Sequence, residues 1–285
     1  MPSRLLRVAA VQAAAVPGDV TGNIATAVGL TERAAAEGAV LVVFPELFVP
    51  AYHPPTLAAS TACDVAADVQ RRVLDGRLDP LTTAAAGCGA AVLIGASVRH
   101  ADRRRTISLL FVRDGTVTVA YDKQHLWGAD EPALFTPGLS AAAISLQGWR
   151  LGLGICYDAS FPEHARSAAL AGAHAYLCPS VFLTGRNHRR DLYYPTRALE
   201  NTIYVVFTNG VGGAGAWQFS GRAAVFDPEG RELARAPEEG AAVACASFDP
   251  AELTRIRAQL PMLAQSRPAH DGSRSAAPVI LRAAR

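Results

Sequence analysis

Residues Trp149 to Glu163 read W-R-L-G-L-G-I-C-Y-D-A-S-F-P-E, and this stretch is the starting point for predicting the fold. Its apolar residues alternate with glycines up to Ile155, which is typical of a short buried strand that other backbone approaches closely. Pro162 then opens an Ala-rich helix, because proline is favoured in the first helical turn. Cys156 is therefore expected at a strand-to-helix turn, where backbone N–H groups and the helix dipole stabilise a thiolate and, later, an oxyanion. The alternative for a single cysteine is a buried structural role.

The composition excludes several classes of protein. The 285 residues could form one large α/β domain or two small ones, and with 50% hydrophobic residues the chain can build a sizeable core. A net charge of +2 without a long basic run argues against nucleic acid or an anionic membrane as the principal partner. No apolar segment of about 18 residues is free of charges or helix breakers, so a membrane span is not expected. The first residues run directly into a strand-like segment and lack the charged-then-apolar-then-small plan of a signal peptide.

The cysteines and histidines predict neither a disulfide framework nor a metal centre. The five cysteines are scattered and include no C-x-x-C pair, which indicates reduced thiols in the cytoplasm and no cysteine-rich zinc site. His53, His125 and His188 each stand alone, without the spacing of metal ligands.

Strands and helices alternate along the chain without a linker, which predicts a single α/β domain over residues 1–285. The apolar run Val40–Phe44 is typical of a strand covered on both faces, and it ends in Pro45-Glu46. Open α/β sheets carry their chemistry at such carboxyl ends. Further strands are predicted at Leu5–Val11, Ala91–Ser97, Ile107–Arg113, Thr116–Tyr121, His174–Cys178, Tyr204–Asn209, Ala223–Asp227 and Ala241–Phe248, and helices at Asn23–Glu37, Glu163–Gly172, Asp191–Asn201 and from Pro250 onward.

Three further segments carry separate predictions. Ala66–Gly87 is predicted to be helical with a break near Asp79-Pro80. Gly210–Gly215 is predicted to be a flexible glycine loop, and residues 260–285 a C-terminal arm. The segment from Tyr121 to Gly138 is too irregular for a regular element.

One helix–strand unit recurs within the chain. Ala34-Ala35-x-x-Gly38-Ala39, followed by a strand and Phe44-Pro45-Glu46, returns at the same spacing as Ala168-Ala169-x-x-Gly172-Ala173, a strand and Cys178-Pro179-Ser180. The repeat suggests two similarly built halves with Glu46 and Ser180 at equivalent strand ends. Chance in an Ala-rich sequence is the alternative.

Three polar residues at predicted strand ends suggest a nucleophilic mechanism. A thiol needs a base to take its proton, and Glu46 could be that base for Cys156. The ammonium of Lys123 could stabilise the negative oxygen of a tetrahedral intermediate. Taken singly, Glu46 and Lys123 are more often surface charges.

Together these segments resemble the carbon–nitrogen hydrolase (nitrilase) superfamily, which has a Glu-Lys-Cys triad in this order. The matching motifs are F-P-E-L at 44–47, Y-D-K-Q-H-L at 121–126 and G-I-C-Y-D at 154–158, with support from F-T-P-G at 135–138, R-A-L-E-N at 197–201 and N-G-V-G at 209–212. The resemblance covers roughly residues 4–270. It implies a four-layer αββα sandwich that forms a homodimer, with a C-terminal arm crossing to the partner.

The resemblance also implies a mechanism without a cofactor. Cys156 attacks the carbonyl carbon while Glu46 takes its proton, and Lys123 with the backbone N–H of Tyr157 holds the oxyanion. Glu46 then protonates the leaving group and activates water to hydrolyse the thioester. Glu131 matches the second glutamate that positions substrate and lysine in the family.

The substrate is predicted to be a small neutral or amine-bearing carboxamide. Cys156-Tyr157-Asp158 is similar to the amidase and carbamoylase branches, whereas nitrile-cleaving members more often carry Trp-Glu after the cysteine. Asp158 and Ser160 occupy the positions where an arginine clamp for a substrate carboxylate is often found. The basic segment 186–190 leaves an acidic substrate possible, so an ω-amidase or an N-carbamoyl amine or amino acid amidohydrolase is the alternative. The residues predicted to bind substrate are Tyr52, Trp127, Tyr157, Phe182 and His188.

Other function classes fit less well. A glutaminase module that supplies ammonia would need a partner synthetase, and an acyltransferase of this superfamily would carry membrane spans or extra domains. A nucleotide-binding protein is disfavoured because the glycine cluster 210–215 precedes no helix and lacks phosphate-binding spacing.

Overall fold

The computed structural model describes residues 2–267, except for the side chain of Ala214. Two sheets are built from strands that occur in the same spatial order, and helices cover both. The strands are β1 (Leu6–Ala13), β2 (Leu41–Val43), β3 (Val65–Ala66), β4 (Ala91–Arg99), β5 (Arg105–Arg113), β6 (Thr116–Asp122), β7 (Ala143–Leu146), β8 (Trp149–Leu153), β9 (Ala175–Pro179), β10 (Tyr204–Ala214), β11 (Trp217–Ser220), β12 (Ala224–Phe226), β13 (Glu232–Arg235) and β14 (Ala242–Phe248). The helices are α1 (Val20–Ala36), α2 (Pro54–Ala59), α3 (Asp79–Cys88), α4 (Asp130–Leu134), α5 (Pro162–Leu170), α6 (Asn187–Asn201), α7 (Pro250–Gln259) and α8 (Met262–Gln265).

The strand order confirms the predicted repeat. One sheet runs β14-β1-β2-β4-β5-β6, and the other runs β7-β8-β9-β10-β12-β13. In both sheets three neighbouring strands are parallel and the flanking strands are antiparallel. Strands β2 and β9, which the internal echo equated, hold the same place, so Glu46 and Ser180 follow equivalent strand ends. A short parallel pairing of Gln12 with Asn209 joins β1 to β10.

The alternation of side chains along β9 shows how the layers are separated. Ala175 and Leu177 pack into the central core between the sheets. Tyr176 and Cys178 point the other way and pack with residues of α5 and α6. Because successive side chains leave a strand on opposite faces, one buried strand supplies both layers. Helices α1 and α3 pack on the first sheet and α5 and α6 on the second, which gives the four-layer αββα sandwich.

The helix predicted over Ala66–Gly87 is wrong in its first half. Val65–Ala66 pairs with β4, and Val73 N–H donates to Val117 O at the far edge of the same sheet. The carboxylate of Asp68 accepts hydrogen bonds from two backbone N–H groups and closes a turn there. Backbone pairing along the sheet therefore replaces a helix, which begins only at Asp79-Pro80, where proline fits the first turn.

Three other segments differ in detail from the predictions. The glycine loop predicted at Gly210–Gly215 is wrong, because β10 continues to Ala214 and pairs with β11 as a hairpin. The irregular segment after Lys123 contains the short helix α4. Of the predicted arm, residues 260–267 carry α8, and residues 268–285 lie outside the described part of the chain. Among residues 2–267 none of the helices combines the length and hydrophobicity needed to span a bilayer.

Candidate active site

Glu46 lies three residues beyond the end of β2 and is 1% exposed. Its backbone is clamped against β4, since Gly95 N–H donates to Pro45 O and Val49 N–H donates to Gly95 O. A Cβ at Gly95 would lie 2.3 Å from Leu47 N and 2.4 Å from Pro45 O. Glycine at this position is what allows the segment that carries Glu46 to lie this close to the neighbouring strand.

Lys123 follows β6 and is completely buried between two carboxylates. Its Nζ lies 2.6 Å from Glu46 Oε1 and 2.8 Å from each carboxylate oxygen of Glu131. Glu131, which is 2% exposed, also accepts from Tyr52 Oη at 2.9 Å and from the backbone N–H of Trp127 at 2.8 Å. One cation is thus shared by two anions without access to water.

Cys156 begins a 3₁₀ turn, Cys156–Ser160, at the end of β8. Its φ of +46° lies in the left-handed region that residues with a Cβ rarely adopt. Gly154, two residues earlier, is needed because a Cβ there would meet the Tyr176 hydroxyl at 1.9 Å. A close approach at this glycine is therefore present, but a tyrosine side chain makes it and not the backbone that the glycine pattern predicted.

Asp158 anchors the cysteine turn to the lysine segment. Its carboxylate accepts from Ile155 N at 2.9 Å and Tyr121 Oη at 2.8 Å through Oδ2, and from His125 N at 2.9 Å and Nδ1 at 2.7 Å through Oδ1. Burial opposes ionisation of this carboxyl, but hydrogen bonds from His125 and Ile155 and the charge of His164 hold the pKa of Asp158 below its usual range. These hydrogen bonds connect Tyr121 and His125, on either side of Lys123, to the turn that carries Cys156.

The pKa values of the ionisable groups in this site are shifted from their values in water. Burial, reinforced by the charge of Glu131 and opposed by Lys123, raises the pKa of Glu46 to about 7. Burial alone would lower the pKa of Lys123, but Glu46 and Glu131 overcome it and hold this pKa above its usual value. Burial and the nearby Glu46 raise the pKa of the Cys156 thiol well above its usual value, although Lys123 and the Val181 N–H favour the thiolate. Desolvation therefore outweighs the stabilisation of a thiolate by the turn and by the Lys123 ammonium.

Glu46 and Cys156 face a cavity of ≈ 60 Å³, which we name the reactive cavity. Four of the five residues predicted to bind substrate line it, together with Glu46, Glu131 and Cys156: Tyr52, Trp127, Tyr157 and Phe182. Arg186 and Arg189, from the basic segment 186–190 that was considered for an acidic substrate, also line it. Lining residues that the sequence analysis did not single out for substrate binding are Ser160, Val181, Leu183 and Tyr193.

His188 is not brought to the reactive cavity. It is exposed in the first turn of α6, whereas Arg186, Arg189 and Tyr193 line the cavity. Residues spaced by three and four positions share one face of a helix, so His188 falls on another face. This helical periodicity could have separated Arg186 and Arg189 from His188 in the sequence. It was not applied there because α6 was predicted to start at Asp191, four residues too late. The guanidinium of Arg186 also lies over the Trp127 ring, 5.4 Å from its centroid.

A cluster behind the cysteine turn has the residue types of a metal site. Ligand atoms of His125, Asp158 and His164 lie within 4.8 Å of one another. Each is engaged by protein groups: His164 Nε2 contacts Gln124 Oε1 at 3.0 Å, and its Nδ1 contacts Tyr176 Oη at 2.9 Å. Hydrogen bonding accounts for these groups, and the cluster fits the role of a rigid support.

The sequence model of the family described as carbon-nitrogen hydrolase matches residues 7–258. The chain belongs to the carbon–nitrogen hydrolase family. It is an enzyme of the nitrilase superfamily that hydrolyses C–N bonds other than peptide bonds.

Relatives and solved structures agree with this assignment. The hydrolase is 31% identical to "Hydrolase in pqqF 5'region" of Pseudomonas protegens, over 82% of this chain and 79% of that protein. It is 30% identical to omega-amidase NIT2 of Homo sapiens, over 86% and 89% of the two chains. Structures of an amidase from Nesterenkonia sp. AN1, one of them a complex with acrylamide, superpose with a TM-score of 0.76 at 28% identity, covering 90% of this chain and 95% of that one.

Proposed function

We propose that this hydrolase converts a small carboxamide to a carboxylic acid and ammonia through a thioester on Cys156. The observation that carries the proposal is that Glu46 and Glu131, which share the buried ammonium of Lys123, line the same cavity as Cys156. Such an arrangement supplies a base, a fixed positive charge and a nucleophile with little solvent between them.

Acylation begins from a neutral thiol. Glu46, whose pKa is raised to about 7, is substantially ionised near neutrality and accepts the Cys156 proton as Sγ attacks the carbonyl carbon. Glu46 Oε2 is buried and has no hydrogen-bond partner among residues 2–267, so it is free to receive this proton. Lys123, whose pKa is held above its usual value, remains charged and stabilises the oxyanion together with the Tyr157 N–H.

Breakdown of the tetrahedral intermediate reverses the proton transfer. Glu46 gives the proton to the amide nitrogen, the C–N bond breaks, and ammonia leaves. Water then enters, Glu46 takes one of its protons, and the hydroxide attacks the thioester to release the acid and restore the thiol. Glu131 stays hydrogen-bonded to Lys123, Tyr52 and the Trp127 backbone, and it positions the ammonium throughout.

Neutral carboxamides are the favoured substrates. Asp158 and Ser160 stand where an arginine clamp would be, and Asp158 is consumed by four internal hydrogen bonds. Aromatic side chains at Trp127, Tyr157 and Phe182 give the reactive cavity apolar walls. The Nesterenkonia amidase was solved with acrylamide, a neutral amide, which supports the same class for this chain.

An ω-amide that bears a carboxylate is the second candidate. Arg186 and Arg189 both line the reactive cavity, and either guanidinium could bind a carboxylate with two hydrogen bonds. The match to human omega-amidase NIT2 supports this alternative. An N-carbamoyl amine or amino acid would present the same carbonyl to Cys156.

A substrate panel tests the proposal. Ammonia release is measured for propanamide, an amino-acid amide, succinamic acid, an N-carbamoyl amino acid and an aromatic nitrile, with Cys156→Ala as the blank. Turnover of the neutral amides that is lost in Cys156→Ala is expected. Turnover of succinamic acid that falls in Arg186→Ala or Arg189→Ala would select the ω-amidase. Undiminished activity of Cys156→Ala would refute the nucleophile.

We also propose that the chain acts in the cytoplasm as a single carbon–nitrogen hydrolase domain and forms a homodimer through α5 and α6. Leu170, Leu192 and Leu199 on these helices are 55%, 63% and 48% exposed, and Leu192 and Leu199 lie seven residues apart on one face. Burying such side chains is favourable. A monomeric mass in solution would contradict the dimer.

A further inference from the structure

A second cavity lies against the reactive cavity and belongs to none of the steps above. Its volume is ≈ 250 Å³, and we name it the apolar chamber. It opens between the end of β1 and the β10–β11 hairpin, and most of its walls are apolar side chains, among them Ala15, Val16, Phe48, Val211, Trp217 and Phe219. Glu46, Tyr52 and Val181 line both cavities, so these residues lie at their shared boundary.

The orientation of Tyr52 shows how the two cavities meet. Its hydroxyl donates to Glu131 on the reactive side. Its ring packs against Trp217 and Phe219 on the chamber side, with centroid distances of 5.7 and 6.1 Å. His53, which also lines the chamber, has its Nδ1 2.8 Å from Thr56 Oγ1. The chamber therefore offers mainly hydrophobic contact to a ligand.

The catalytic geometry decides which part of a substrate reaches the chamber. The acyl group is attached to the carbon that bonds Cys156 Sγ, and Cys156 lines only the reactive cavity, as do Tyr157 and Trp127. The leaving nitrogen must contact Glu46, which protonates it, and Glu46 lies at the boundary with the chamber. A substituent on that nitrogen is therefore the part of the substrate directed to the chamber.

We propose that the apolar chamber binds an apolar substituent on the nitrogen of the scissile amide, so that the enzyme also cleaves N-alkyl amides. This inference rests on the proposed function. Cys156 Sγ forms a bond to the carbonyl carbon as the C–N bond breaks, and the thiol proton passes through Glu46 to the nitrogen, releasing a primary amine. Water then converts the thioester to the acid and the free thiol.

Two homologous substrate series test the assignment. One lengthens acetamide on nitrogen (N-ethylacetamide, N-butylacetamide), and the other lengthens the acyl chain (butanamide, hexanamide), with carboxylate release measured for both. Each methylene buried in the chamber is expected to raise kcat/KM about fourfold, so that N-butylacetamide exceeds N-ethylacetamide by about tenfold or more. The acyl series should not show this rise, because the reactive cavity is small.

A matched pair of variants locates the effect. Ala15→Leu narrows the chamber and should bring the N-butyl to N-ethyl ratio close to one, whereas Ala25→Leu, the same change at an exposed position of α1, should leave the ratio as it is. Equal kcat/KM values for N-butylacetamide and N-ethylacetamide in the natural chain would overturn the proposal. So would a loss of kcat/KM in Ala15→Leu that is confined to the acyl series.

A binding measurement separates this inference from the reaction itself. Calorimetry with the Cys156→Ala variant should show tighter binding of N-butylacetamide than of acetamide, and Ala15→Leu in the same background should abolish the difference. If no amide is hydrolysed but this difference is found, the proposed function fails and the chamber's specificity stands. If the amides are hydrolysed and bind equally, the chamber is not a substrate subsite.

Discussion

Replacing Asp158 with asparagine should destabilise the fold and impair catalysis together. The side chain is fully buried, and both of its oxygens accept hydrogen bonds, two of them from the backbone N–H groups of Ile155 and His125. Asparagine keeps the shape but turns one oxygen into an NH₂ donor. Whichever way the amide is placed, that donor faces one of the two buried N–H groups, which then loses its acceptor.

The size of the effect follows from those contacts. An unsatisfied buried N–H costs about 1–3 kcal/mol, and each hydrogen bond that loses its charged acceptor contributes about 1 kcal/mol more. We expect Asp158→Asn to lower the free energy of unfolding by about 3 kcal/mol. The pKa of Asp158 is depressed in the folded state, so its charge stabilises the protein above the usual aspartate pKa and this contribution is lost as the pH falls through the folded value. The difference should therefore be full at neutral pH and shrink in acid.

Urea denaturation at several pH values, followed by tryptophan fluorescence, measures this difference. Asp102→Asn is the matched control, because that carboxylate is exposed and its change should stay within about 0.5 kcal/mol. The strained Cys156 turn depends on Asp158, so kcat should fall by more than tenfold in the fraction that remains folded. A loss of stability below about 1 kcal/mol at neutral pH would refute the anchoring role of this carboxylate.

Two further changes test the electrostatics and the packing of the site. The acid limb of the pH profile of kcat/KM should lie near pH 7, because Glu46 must be ionised to act as the base. Glu131→Gln should move this limb to lower pH, since removing a neighbouring negative charge favours the ionised form of Glu46. A limb that does not move would show that another group titrates there. Gly95→Ala should cost about 2 kcal/mol of stability and about a hundredfold in kcat, because its Cβ would displace the Glu46 segment. Gly29→Ala, in a helix where a Cβ meets nothing within 4 Å, is the control, and equal stabilities of the two variants would contradict this account.

The prediction of the fold from sequence succeeded where local patterns carry the information. Buried strands such as Val40–Phe44 are continuous apolar runs, and Pro162 fits the first turn of α5 as expected. The repeat around Glu46 and Ser180 predicted the matching strand order, although Ser180 itself is fully buried against Tyr194 and does not line the reactive cavity. The helix predicted for segment 67–78 was wrong because the backbone of this segment forms hydrogen bonds with β4 and β6, which are distant in sequence. Helical spacing of apolar residues cannot reveal such pairing.

By itself the sequence determined the α/β class and the three strand ends that carry Glu46, Lys123 and Cys156, since each depends on a local periodicity. Its short motifs gave the resemblance to the hydrolase family, and that resemblance implied the αββα sandwich. The tertiary structure decided how these groups interact. Lys123 meets Glu46 across 77 residues, Asp158 joins the cysteine turn to His125 across 33, and the face of α6 selects Arg186 and Arg189 over His188. Burial, which exists only in the folded chain, raises the pKa of both the Glu46 carboxyl and the Cys156 thiol. These properties arise from desolvation and long-range contacts, and no local stretch of sequence contains them.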